Sequence, residues 1–583
     1  MAGLFLVSTR DPDFAASALA AARAQFALHG FSELAEHALP GWRLLHAPFI
    51  LGGPESLLVR GDDLVAVAGT LACDGKMGTP ALAALLDMAA LPAPDWSRLS
   101  GQFVALVRRA GRSFLFTDYF GAFQLFHDAG RRVFSTSLLS ALAALPRVSF
   151  DPQGVYEFAF NVVPIGDDTP FGELKTLGPD QVVELDADGA RLHDAPKPLP
   201  GTARAMPERD RLALHRDRLL SAVEHYADEF AGRIFCPLSG GLDSRLVLAA
   251  LRACGTMPRL YVYGGPESAD VAIGRAIAAG EGTAIDWLDK EAWRDVPPDA
   301  FPAQVEANFH AYDGLPNYGE LFENGANAFA RLARHEGGAL SASGGCGEIY
   351  RNFFFLPDRA FSAAAVARTF FARYAKGDAT GAFDEGAFLR AIEDKILAAL
   401  GRPGFRGRLP RALIEQVYPR VRCRSLFGRE ISLEARYGAY LMPFLDHHVV
   451  AEAMTLPLAL KNAGRFEAAL LNAIDPKLAA YPSAYGHDFA GPPGAAHRRA
   501  EFLTRIRPIA LRRRSYALRR RLGPVADEHG GLLSPDHMGR VVDLDFPIMR
   551  RFFRTDAIGD SGMMRRIANL EYLGAKLGAK LVS

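Results

Sequence analysis

At 583 residues the chain is long enough for two or three domains, and 49% hydrophobic with 23% charged residues marks a folded globular protein rather than a disordered one. Basic and acidic residues both number 66, so the zero formal charge excludes bulk attraction to nucleic acid or to a membrane surface. Cys73, Cys236, Cys254, Cys346 and Cys423 form no C-x-x-C pair, which argues against a disulfide framework or zinc site and suits a reduced cytoplasmic setting.

The opening MAGLFLVSTRDPDF lacks a basic start and a long apolar core, so no signal peptide is expected, and no run of about 18 apolar residues predicts a membrane span. The first ~190 residues read as β-rich, because QFVALVRRAGRSFLFTDYFGAFQLFHDAGRRVFSTS breaks into short strands at glycine turns. PDQVVELDADGARLHD predicts a hairpin with a D-G turn. The Pro- and Ala-rich residues 195–210 read as a linker. From 211 to about 495 an amphipathic helix is followed by alternating helices and short apolar strands such as RLYVYG and GALSAS, the pattern of an α/β domain with a parallel sheet. Residues 496–583 read as a helical, basic extension, with eight arginines in 505–522. That stretch is a solvated basic helix or a docking face for an acidic peptide or partner protein; nucleic acid fits the neutral chain least.

CPLSGGLDSRL, residues 236–246, joins a strand-like run to a helix-like one through a turn rich in Gly and Ser. Backbone N–H groups of such a turn and the positive end of the helix form an anion cradle, and glycine admits close approach. Ser239 and Ser244 can donate to phosphate oxygens. Asp243 belongs in an anion site if it holds a bridging metal; otherwise it is a cap or turn residue. The G-x-x-x-x-G-K-[ST] signature of a Walker loop is absent.

The Ser-Gly-Gly-x-Asp-Ser stretch resembles the pyrophosphate loop of the ATP pyrophosphatase superfamily. Further segments resemble the asparagine synthetase-like family in the same order: TDYFGAFQLFHDAGRRVFSTSLLSAL, TPFGELKTLGPDQVVELD, SASGGCGEIYRNF and PFLDHHVVAEAMTLP. Together they span roughly residues 60 to 490. The resemblance implies an α/β plus α+β chain. Residues 1–194 would be a degenerate class II glutamine amidotransferase-like (Ntn-type) β-sandwich domain. Residues 211–495 would be a doubly wound parallel-sheet ATP pyrophosphatase domain, followed by the extension.

Glutamine-dependent members of that family carry Cys after the initiator Met; here Ala2 stands there. The resemblance therefore implies an ATP-dependent, AMP-forming ligase without glutaminase activity, similar to lasso peptide cyclases and β-lactam synthetases. In these, an amine of the substrate attacks an adenylated carboxylate. A lasso-type macrolactam closure is the favoured form, with a peptide substrate and possible partners in a precursor peptide and its leader-processing protein. The alternatives are amidation of a small-molecule or sugar acid by free ammonia or amine, β-lactam closure, and a non-catalytic scaffold.

Carried over by that resemblance, ATP and Mg2+ are the expected cofactors. Leu238, Ser239, Gly240, Gly241, Asp243 and Ser244 would hold the pyrophosphate. Val262, Tyr263 and Gly264 would hold adenine, and Gly344 and Gly345 would line the site. Asp270 matches an S-x-D-x-x-x-A-R pattern or caps its helix. The family's second metal aspartate falls on Gly347, so the metal would rest on Asp243 and Glu348. Glu348, Tyr350 and Arg351 are the catalytic or substrate-facing candidates, beside Asn352. No lysine occurs in YPSAYGHDF, where the family's late lysine would fall, leaving Lys477, Tyr485 and His487 nearby. His447 and His448 read as adjacent strand residues pointing to opposite faces, with structural roles, and Asp446 as a buttress.

Overall fold

In the computed structural model, which describes residues 3–88, 91–317, 320–512 and 529–582, the strand Asp63–Cys73 shows how alternation builds the first layers. Leu64, Ala66, Ala68 and Ala72 face one apolar core, whereas Val65, Val67, Leu71 and Cys73 face another, completed by Leu82, Leu85 and Leu86 of the helix Gly78–Leu86. Successive side chains of a strand point to opposite faces, so an uninterrupted apolar run buries both.

Two six-stranded antiparallel sheets result. One runs in the order Leu174–Thr176, Phe126–Asp128, Val133–Ser135, Gly3–Ser8, Trp42–Ala47, Ala35–Leu39. The other runs Gly189–Asp194, Gln181–Asp186, Arg112–Thr117, Leu99–Arg109, Asp63–Cys73, Leu57–Arg60. The D-G hairpin forms as expected, with Asp186 opposite Gly189.

The helix Glu208–Glu229 leads into a five-stranded parallel sheet in the order Ile285–Leu288, Arg259–Tyr263, Ile234–Pro237, Leu340–Ala342, Tyr440–Leu441. The chain starts in the middle, builds outward on one side, then returns to the other side of its first strand. That reversal lies between Ile234–Pro237 and Leu340–Ala342. The crevice outside their carboxyl ends is where open α/β sheets bind ligands. The loops that flank it are 238–241 and 343–346.

The extension is not detached. Helix Ser561–Leu577 is largely buried, with Asn569 donating to Gly314 O at 2.9 Å, and Leu581–Val582 pairs with Val148–Ser149. Among the described residues no helix is long and apolar enough to cross a membrane.

Candidate functional site

The first strand ends with Leu238 N donating to Tyr261 O at 2.9 Å, and helix Leu242–Ala253 starts at Gly241. Between them the loop is held by its own side chains. Ser239 N donates to Ser244 Oγ at 3.1 Å, Gly240 N to Asp270 Oδ1 at 2.8 Å, and Gly241 N to Ser239 Oγ at 3.3 Å. Residues 481–484 strap over it: Ala484 N donates to Gly240 O at 3.0 Å, and Arg245 reaches Tyr481 O and Pro482 O. A Cβ on Gly240 would lie 2.9 Å from that of Ala484, so glycine here answers to the strap. The amides of 239–241 are thus spoken for, contrary to the expectation of a loop open along its length. The helix has no side-chain cap, so its first-turn amides remain the donors for an anion.

Asp243 stands in that first turn, its side chain 25% exposed. Arg351 donates through Nη2 to Asp243 Oδ1 and through Nε to Glu467 Oε2 at 2.6 Å. Glu467 is fully buried; burial pushes its carboxyl well above the usual range, and neighbouring Asp243 adds to the push. A Cβ on Gly347 would sit 1.9 Å from Asp243 Oδ1, so the space a side chain at 347 would need is filled by Asp243. Glu348 accepts from the Tyr418 hydroxyl at 2.5 Å and has no ion-pair partner among the described residues. Gly344 and Gly345 allow close packing: added Cβ atoms would meet Ser244 N at 2.9 Å and Met442 Cε at 2.8 Å.

Magnesium takes oxygen ligands in near-octahedral order, commonly one or two carboxylates completed by phosphates and water. Here Asp243 Oδ1 accepts from the Arg351 guanidinium and position 347 has no room for a side chain, so an ion on Asp243 would have to displace that guanidinium. The cation beside the loop is Arg351.

A cavity of about 470 Å3 opens against Leu242, Glu348 and Arg351. Its walls are aromatic, with Phe353, Phe370, Tyr485 and Phe489, and one side is helix Ala495–Ile506 through His497 and Ala500. The site therefore crosses the boundary expected at 495.

Several other expectations change. Tyr350 does not line the cavity: it is fully buried against His215, Phe444 and Phe466, and its hydroxyl has no hydrogen-bond partner among the described residues. Asn352 is buried and bonds Leu356 O, Asn462 Oδ1 and Arg411. The adenine candidates are tied to their neighbours: Gly264 N donates to Leu288 O at 3.2 Å, Gly264 O accepts from Trp287 Nε1 at 2.9 Å, and Val262 and Tyr263 pair with Trp287 and Leu288. Lys477 pairs with Glu281 at 3.1 Å and does not line the cavity. Tyr485 and His487 do line it. His447 and His448 open a helix rather than a strand; His447 contacts Trp96 O at 2.9 Å, and Asp446 caps the helix by accepting from His448 N at 2.9 Å. Of the arginine-rich stretch, residues 513–522 lie outside the described residues, as does Ala2. Sequence reasoning missed Glu467, Tyr418 and His497. Glu467 sits in an ordinary amphipathic helix, Arg465–Ile474, with no local signal of its role.

No family model and no curated protein matches the chain. Among solved structures it is similar to an allosteric regulatory enzyme of purine biosynthesis, at 11% identity and TM-score 0.23, over 49% of this chain and 65% of that one. It is also similar to glutamine phosphoribosylpyrophosphate amidotransferase from B. subtilis complexed with ADP and GMP, at 10% identity and TM-score 0.23, over 50% of this chain and 91% of that one. The chain thus spans just under two thirds of the first, and likenesses this weak decide neither fold nor function.

Proposed function

We propose that the chain is an ATP-dependent, AMP-forming carbon–nitrogen ligase. One observation carries the reading: the Ser-Gly-Gly-Leu-Asp-Ser loop lies at the carboxyl end of the central strand, where the strand order reverses, beside the cavity. A carboxylate is a poor electrophile. Attack of its oxygen on the α-phosphorus of ATP expels pyrophosphate and gives an acyl-adenylate. An amine nitrogen then attacks the acyl carbon, loses a proton and expels AMP. The uncapped helix and the Arg351 guanidinium supply positive potential for the developing anions. A cavity of about 470 Å3 has room for more than ammonia, which favours a bulky amine, including one carried by the same peptide as the acid.

A second reading, a non-catalytic scaffold, is favoured by the internal bonds of the amides at 239–241. Calorimetric titration with ATP separates the two. Binding that is lost in Gly241→Val, followed by AMP release when acid and amine are added, is the expected result. No binding at millimolar ATP would overturn the ligase reading.

A further inference from the structure

The cavity beside the loop carries a carboxylate, Glu348, with no ion-pair partner among the described residues. Glu348 lines it, half-buried, and is bonded by the neutral hydroxyl of Tyr418. The other charged groups around the cavity have contacts of their own. Arg351 is held by Asp243 and Glu467. The Arg373 guanidinium lies 5.1 Å from the centre of the Phe370 ring, and Glu501 stands 3.8 Å from Arg505. The remaining walls combine the aromatic Phe353, Phe370 and Phe489 with the polar His487, His497 and Thr504.

A carboxylate in such surroundings is costly unless a cation joins it. Aromatic faces add attraction for an ammonium and for an apolar body behind it. We infer that this cavity is the amine site, taking a primary ammonium on Glu348 with its aromatic or bulky aliphatic body between the phenylalanines. This rests on the ligase reading for its place in the reaction, as the nucleophile's site. The binding itself needs no nucleotide. The cavity's breadth puts small amino acids and ammonia among its weakest occupants.

The test is calorimetric titration of the nucleotide-free full chain at neutral pH with phenethylamine, ethylamine and 3-phenylpropionate. Phenethylamine should bind roughly tenfold or more tighter than either control, because it alone brings both charge and ring. Glu348→Gln should weaken it by about tenfold, the worth of a charge-assisted contact. Ala500→Trp, a change on an exposed helix position that fills the cavity, should abolish it without lowering the melting temperature. The inference is overturned if 3-phenylpropionate binds as tightly as phenethylamine, if phenethylamine does not bind, or if a folded Glu348→Gln chain binds it unchanged. Because nucleotide is absent, either outcome leaves the ATP titration to be judged separately.

Discussion

Arg351 Nη2 donates to Asp243 Oδ1 across 108 residues of sequence, and the same guanidinium reaches the buried Glu467 through Nε. One side chain thus ties the first turn of the loop helix to the helix Arg465–Ile474. Arg351→Met should cost about 3 kcal/mol in urea denaturation, since it strands two acidic groups, one of them fully buried. Adding Glu467→Gln should recover part of that. An unchanged urea midpoint in Arg351→Met would show the clamp to be energetically idle.

Gly347 is forced by proximity to the same carboxylate, 1.9 Å from where its Cβ would be. Gly347→Ala should displace Asp243 and destabilise by roughly 1–3 kcal/mol, the range of overpacking. A neutral result in thermal denaturation would mean that the loop has slack there.

Asp270 occupies Gly240 N at 2.8 Å. Asp270→Asn keeps an acceptor oxygen but removes a negative charge beside the proposed phosphate position. ATP affinity should rise by about twofold to fivefold at low salt. A loss of affinity would give Asp270 a positive role in binding instead.

Tyr350 buries an unpartnered hydroxyl. Tyr350→Phe should be neutral or stabilising by up to ~1 kcal/mol and should leave ATP binding as it was. Weakened nucleotide binding in this variant would return Tyr350 to the site.

Lys197 lies buried with its Nζ 4.2 Å from the Trp96 ring centre and donating to Asp118 O at 2.8 Å. Burial lowers its pKa to about 7, against a raising effect of Asp118. Between about 7 and the ordinary value of 10.5 the unfolded chain therefore binds more protons, so this residue's contribution to stability improves as pH rises. Its cost is full below about pH 7 and vanishes near 10.5. Urea denaturation at pH 7, 8.5 and 10 should show the wild type gaining on Lys197→Met across that window. A constant difference would place the native pKa near the unfolded one.

What the sequence determined by itself was local. The short strands of QFVALVRRAGRSFLFT, the D-G hairpin and the strand–SGGLDS–helix transition depend on residues within a few positions of one another, and all three form. With the helix–strand alternation after residue 210, they were enough to indicate a β-rich first part followed by a parallel sheet and to mark one loop as the place for chemistry. Only the tertiary structure decided what that loop meets. The Arg351 clamp joins residues 108 and 116 positions apart, the Tyr418–Glu348 bond spans 70, and the strap on Gly240 comes from Ala484. Such partners leave no trace in periodicity or turn chemistry, because close packing and buried charge balance are set by which surfaces the whole chain brings together. For the same reason Tyr350, two residues from a cavity-lining glutamate, is a core residue.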